Sequence, residues 1–148
     1  MLTRGSSLSD DRVIAYINQN YIPIEVNITD SGFPDDVPAL RVWQRAFKGF
    51  WQSKFAFATS VAITPDGSLP LGSSGSGFKR EWQTAINYHP DLYLGFLKDS
   101  LSRYNQICET RNDTSLNPMQ KEMRMLSIYK DTYEQISYAY RNGGWHRK

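Results

Sequence analysis

The stretch "FATSVAITPDG" runs from Phe57 to Gly67 and decides how the rest of the chain is read. Val61 and Ile63 are apolar and β-branched, which suits a pleated, half-buried strand. Pro65-Asp66-Gly67 then supplies turn chemistry: Pro fixes φ, and Gly reaches positive φ without steric cost. A strand over Phe55–Ile63 therefore ends in a tight turn. The short apolar segment "SLPLG" after it, Ser68–Leu71 above all, is expected to return antiparallel.

Upstream, "SLSDDRVIAYINQN" has helical spacing. Ser9 is a suitable N-cap, Asp10 and Asp11 suit the positive end of the helix dipole, and Val13, Ile14 and Ile17 form a stripe with Tyr16 beside it. A helix over Ser9–Asn20 is predicted. "YIPIEVNI" follows with Ile22, Ile24, Val26 and Ile28 alternating against Pro23, Glu25 and Asn27, which predicts a strand over Tyr21–Ile28, parallel to Phe55–Ile63. "TDSGFPDDVP" is loop by composition. "ALRVWQRAFKGFW" places Leu40, Val42, Trp43, Ala46, Phe47 and Phe50 on one helical face.

Downstream, "GSSGSG" (Gly72 to Gly77) reads as a flexible loop, and "FKREWQTAINY" fits either strand or helix. Pro90 suits the first position of a helix over Pro90–Cys108, with Leu94, Leu97, Leu101, Tyr104 and Cys108 at spacings of three and four. "ETRNDTSL" reads as a polar linker. A last helix starts at Asn117 with Pro118 at N1 and Gln120 at the capping-box position; Met119, Met123, Leu126, Tyr133, Ile136 and Tyr140 make its stripe, Gly143-Gly144 end it, and "WHRK" is a basic tail. Helices between strands, with one tight hairpin, imply a mixed sheet packed by helices on both faces, an α/β class.

Composition excludes several classes. With 40% apolar and 14% aromatic residues the chain has the means to build a core. A net charge of +2 without a basic stripe points away from nucleic acid. No run of eighteen apolar residues is present, so no membrane span is expected. The opening "MLTRGSSLSDD" shows no apolar signal region. The one cysteine, Cys108, rules out an intrachain disulfide or dithiol in these 148 residues. Its apolar stripe makes it a structural thiol rather than a nucleophile. His89, before Pro90, reads as a capping or surface residue, and His146 lies in the tail. Two histidines without clustered ligands suggest no metal site and no cofactor. "GSSGSG" lacks the Lys-Ser/Thr ending of a phosphate loop, and "DSGFPDD" lacks calcium-loop ligand spacing. Trp43, Trp51 and Trp82, with Arg and Lys nearby, have the makings of base stacking, but core packing is the stronger account for at least two of them. "NIT" at Asn27 and "NDT" at Asn112 match the glycosylation sequon, a triplet common by chance.

The order of these segments resembles the thioredoxin-like family. Leu8-Ser9-Asp10-Asp11, Val13, Tyr16-Ile17-Asn18 and Tyr21-Ile22-Pro23-Ile24 fall into the family's "FSDxxVxxYLNxNFVPVKVD" pattern. "SVAITPDG" is similar to "PTxVFLDPDG", and "INYHPDLYLGFLKDSL" looks like the last strand and closing helix. The resemblance implies a thioredoxin-like domain over 1–110, N-terminally incomplete, with a linker and extra helix over 111–148. It places Thr59 where the family carries the cis-Pro that faces its Cys-x-x-C pair, and places that pair upstream of Met1. Two functions are then expected to compete. One is a non-catalytic binding or structural module whose open sheet edge takes a protein or peptide, or a second copy of the chain. The other is the C-terminal bulk of a thiol–disulfide oxidoreductase.

Overall fold

In the computed structural model, residues 7–25, 36–40, 60–74 and 89–141 are described. Among them, a 3-10 turn at Ser7–Ser9 leads into helix α1 (Asp11–Asn20), strands β1 (Val61–Ile63) and β2 (Pro70–Ser73) follow, and long helices α2 (Pro90–Asn112) and α3 (Pro118–Arg141) close the order. The result is a mixed fold of helices around a small antiparallel sheet, α/β in the broad sense.

Helix α1 forms where its spacing predicts, but its N-cap is Asp10 rather than Ser9. The Asp10 carboxylate accepts from the Arg12 backbone N–H at 2.9 Å. A carboxylate one residue inside the expected cap answers both the orphan donors and the dipole. Val13 is fully buried, while Ile14 stays exposed.

The hairpin is as expected in sense. β1 and β2 pair antiparallel, with Val61 opposite Ser73, Ala62 opposite Gly72 and Ile63 opposite Pro70. Leu71 is the extra residue of a bulge, next to a proline that has no N–H to offer the ladder. Gly67 has φ +68°, the conformation the "PDG" turn needs, and its carbonyl accepts from Ala39 N–H at 2.9 Å.

Three expectations are corrected here. The described part of the predicted Tyr21–Ile28 strand, 21–25, carries no strand, and Ile22 and Ile24 are 87% and 80% exposed. Alternation tells which side chains share a face; a strand also needs a hydrogen-bonded neighbour. Residues 26–28 and 54–59, including Thr59, lie outside the described residues, as do Trp43, Trp51, Trp82 and His146. Second, the start of "GSSGSG" is not loop. Gly72 belongs to β2, and Ser74 is buried, its N–H donating to Ser60 O at 2.9 Å while its hydroxyl accepts from Ser60 N–H at 3.0 Å. Third, "ETRNDTSL" is not all linker. α2 runs on to Asn112, and the connection narrows to Asp113–Asn117. There the Asp113 carboxylate accepts from both the backbone and the hydroxyl of Ser115.

Helix α2 is the spine, roughly 35 Å long at the ordinary rise per residue. Its buried line is Tyr93, Leu97, Ser100, Ile107 and Thr110. The expected stripe of Leu94, Leu101, Tyr104 and Cys108 is only half-buried. Ser100 and Thr110 tolerate burial because each donates its hydroxyl to the carbonyl four residues earlier, Phe96 O and Gln106 O, both at 2.8 Å.

Two apolar clusters sit along this spine. Val13, Tyr93 and Leu97 form one, and Ala62, Leu71 and Ile107 the other; Tyr21 and Phe96 pack against both. α1 rests chiefly on α2, whereas α2 and α3 both pack on β2. Met125 and Ile128 bring α3 onto the second cluster. The Asn117–Gln120 capping box is formed in both directions, each bond 2.9 Å.

Candidate functional site

Among the described residues no group of three His, Cys, Asp or Glu converges to hold a metal ion. His89 occupies the N-cap position of α2, where its side chain makes no capping hydrogen bond and is exposed. Cys108 lies nineteen residues further along the same helix, roughly 28 Å away. The two cannot work as a Cys–His pair. Cys108 is a free, half-buried thiol. A hydrogen bond with it holds the Tyr104 hydroxyl above the usual phenol range.

The hairpin carries two polar clusters that composition and spacing did not reveal. At the turn, the Thr64 and Ser68 hydroxyls both donate to one oxygen of Asp66, and Ser68 N–H adds a bond of 3.1 Å. Those donors, Thr64 first, hold the Asp66 carboxyl down at about 2. Arg111 approaches its other oxygen at 3.7 Å from α2. Each polar group here is satisfied within the turn, so the cluster closes the hairpin and presents no reacting group.

At the open end, the Tyr93 hydroxyl donates to Ser60 Oγ, next to the Ser60–Ser74 pair. Burial raises the Tyr93 hydroxyl above its ordinary value, so it stays a neutral donor. Tyr21 behaves alike: burial raises it, and its hydroxyl donates to Leu97 O at 2.5 Å. Sequence signals for these bonds are absent because the partners lie 33 and 76 positions apart. Ser60 is the residue after Thr59, so the chain leaving the site expected for the family's cis-Pro is pinned at once beneath α2.

What these anchors leave outside is apolar. Tyr21 is held by its ring and hydroxyl, and beyond it Ile22 and Ile24 lie in solvent. On α3, Met119, Met123 and Leu126 of the expected stripe point outward as well, at 68%, 69% and 52% exposure. Their helix buries the opposite side, through Met125 and Ile128. No described helix is long and apolar enough to cross a membrane. The chain thus offers two apolar contact surfaces and no assembled catalytic constellation among its described residues. No protein-family model, no curated protein and no solved structure matches this chain.

Proposed function

We propose that this chain is a thioredoxin-like domain that carries no redox centre among its 148 residues and works as a non-catalytic module binding an extended peptide segment. The order of a capped helix, a hairpin closed by "PDG" and a helix opened by Pro90 supports the fold. A single cysteine supports redox silence, since exchange chemistry needs an attacking and a resolving thiol. The observation that carries the binding role is the exposure of Ile22 and Ile24 just beyond Tyr21, which is itself extended and anchored by its hydroxyl. Residues two apart in an extended chain share a face. A peptide strand laid along 21–25 would cover both and take up the backbone groups of the segment.

Selection from a displayed peptide library tests this. Enriched peptides should alternate apolar and polar residues, and their binding should fall at least tenfold in Ile22→Asp/Ile24→Asp. Both positions are exposed, so the circular dichroism of that variant should match the parent. Absence of enrichment, or binding indifferent to the double substitution, overturns the binding role. Separately, insulin reduction by dithiothreitol should proceed at the uncatalysed rate with the protein present. Acceleration that survives Cys108→Ser would show an active group elsewhere in the chain.

A further inference from the structure

We infer that Asp66-Gly67 is a latent self-modification site: the folded turn holds it inert, and opening of the hairpin commits it to a succinimide and then to an isoaspartyl backbone. An aspartate followed by glycine carries both partners of a ring closure in adjacent residues. The Gly67 amide nitrogen attacks Asp66 Cγ, and glycine has no Cβ to obstruct that approach. The step balances without a co-reactant. A bond forms from Gly67 N to Asp66 Cγ; the acid form of the carboxyl gives up its hydroxyl, the amide gives up its proton, and the two leave as water. Water then opens the five-membered imide. Opening at the Asp66 backbone carbonyl routes the chain through the side-chain carbons and lengthens it by one carbon.

The closed turn obstructs this at each participant. The nucleophile is occupied, because Gly67 N–H donates to Thr64 O at 2.8 Å, which keeps its proton from solvent base. The electrophile is occupied as well: the Thr64 and Ser68 hydroxyls and Ser68 N–H all donate to one Asp66 oxygen. These donors hold the carboxyl at about 2, so the acid form is scarce at neutral pH. Arg111, 3.7 Å from the other oxygen, favours the ion further. The frame itself is fixed from both ends. Thr64 is buried, its N–H donates to Leu69 O and its hydroxyl accepts from Leu69 N–H, both at 3.0 Å. Asp66 is half exposed, so hydrogen bonds rather than burial protect it. Once made, the change is one-way. A turn closed by a residue at φ +68° and by bonds to one carboxylate oxygen has no place for an extra backbone carbon. An isoaspartyl chain therefore loses the hairpin on which α2 and α3 both pack. The pair marks molecules whose hairpin has opened, independently of the peptide-binding role proposed for 21–25.

The tryptic peptide 55–79 reports the reaction, because Asp66 is its only aspartate and it contains no asparagine. The full chain is kept warm at neutral pH, folded in buffer or unfolded in guanidinium chloride, and then digested. Endoproteinase Asp-N cuts before Asp66 but not before an isoaspartyl residue. The uncut fraction should grow in denaturant and stay near zero in buffer. Ser68→Ala and Thr64→Val each remove one donor, and each should speed formation in buffer about tenfold, the worth of one bond to a charged group, with the circular dichroism of the parent. Gly67→Ala should slow formation in denaturant severalfold, since its Cβ crowds the attacking nitrogen. After denaturant is removed, isoaspartyl chains should not regain the parent's unfolding midpoint. Equal rates in buffer and denaturant overturn the inference. So does absence of isoaspartate in denaturant, a rate in buffer that ignores Ser68→Ala, or full recovery of the midpoint by isoaspartyl chains.

Discussion

Replacing Gly72 by alanine separates two opposite expectations for one residue. In a flexible loop the change would be neutral, or would stabilise by about 0.4–1 kcal/mol by restricting the unfolded chain. In the folded molecule Gly72 sits in β2 without positive φ, so the backbone itself admits alanine. The obstacle is space. A Cβ there would lie 2.6 Å from Ser100 Oγ and 3.2 Å from Phe96 Cε2. The first distance is well inside the ~3.3 Å at which carbon and oxygen ordinarily meet. Ser100 is fully buried and donates to Phe96 O at 2.8 Å, so turning its hydroxyl away leaves a buried polar group without that bond. Such a loss costs about 1–3 kcal/mol, and forcing an extra methyl into a packed interface costs a similar amount if the helix moves instead. Gly72→Ala should therefore destabilise by about 2 kcal/mol, which lowers the urea midpoint by about 1 M. Removing the hydroxyl should relieve most of this: in a Ser100→Ala background the cost of Gly72→Ala should shrink by about 1 kcal/mol or more. Urea titrations of the four proteins, followed by circular dichroism, give the cycle. A neutral or stabilising Gly72→Ala, or a cost unchanged by Ser100→Ala, refutes the packing of β2 against α2.

Three further outcomes follow from the same contacts. Gly67→Ala should cost about 1–2 kcal/mol, because φ is +68° and the added Cβ meets Val37 Cγ1 at 3.3 Å; the urea midpoint checks it. Ile107→Ala should cost about 2–5 kcal/mol by emptying the centre of the Ala62–Leu71–Ile107 cluster, read by thermal denaturation. Asp66 is held at about 2, below its ordinary 3.8, so its contribution is present above about pH 4 and fades as pH falls toward about 2. Asp66→Asn should accordingly be less stable than the parent at neutral pH, by under about 1 kcal/mol at this exposed turn, and the two stabilities should converge across that acid window.

The features readable from residues alone are those set within a few positions of chain. Asn117 and Gln120 close their capping box, Pro90 opens α2, and Gly67 takes positive φ after Pro65-Asp66, because each depends on neighbours in sequence. Long helical periodicity placed α1, α2 and α3; the expected ends agree at Asn20 and Pro90, while α2 runs four residues past Cys108. Of the candidate site, the absence of a dithiol was plain from the lone Cys108, while the Tyr93–Ser60–Ser74 cluster was invisible, since its members gain meaning only when the hairpin meets α2.

Which faces are buried was decided by tertiary packing. The sequence of α2 shows a leucine-rich stripe, yet the side turned inward carries Ser100 and Thr110, whose hydroxyls bond back to their own helix and so cost little to bury. On α3, periodicity identified the methionine stripe as one face, but Met125 and Ile128 fit the space beside Ile107, and that turned Met119, Met123 and Leu126 to solvent. Alternation at 22–25 likewise defined a face, and among the described residues no strand pairs with it. Local chemistry specifies the conformation of a segment; what the segment touches depends on surfaces contributed from tens of residues away, and those surfaces exist only once the chain has folded.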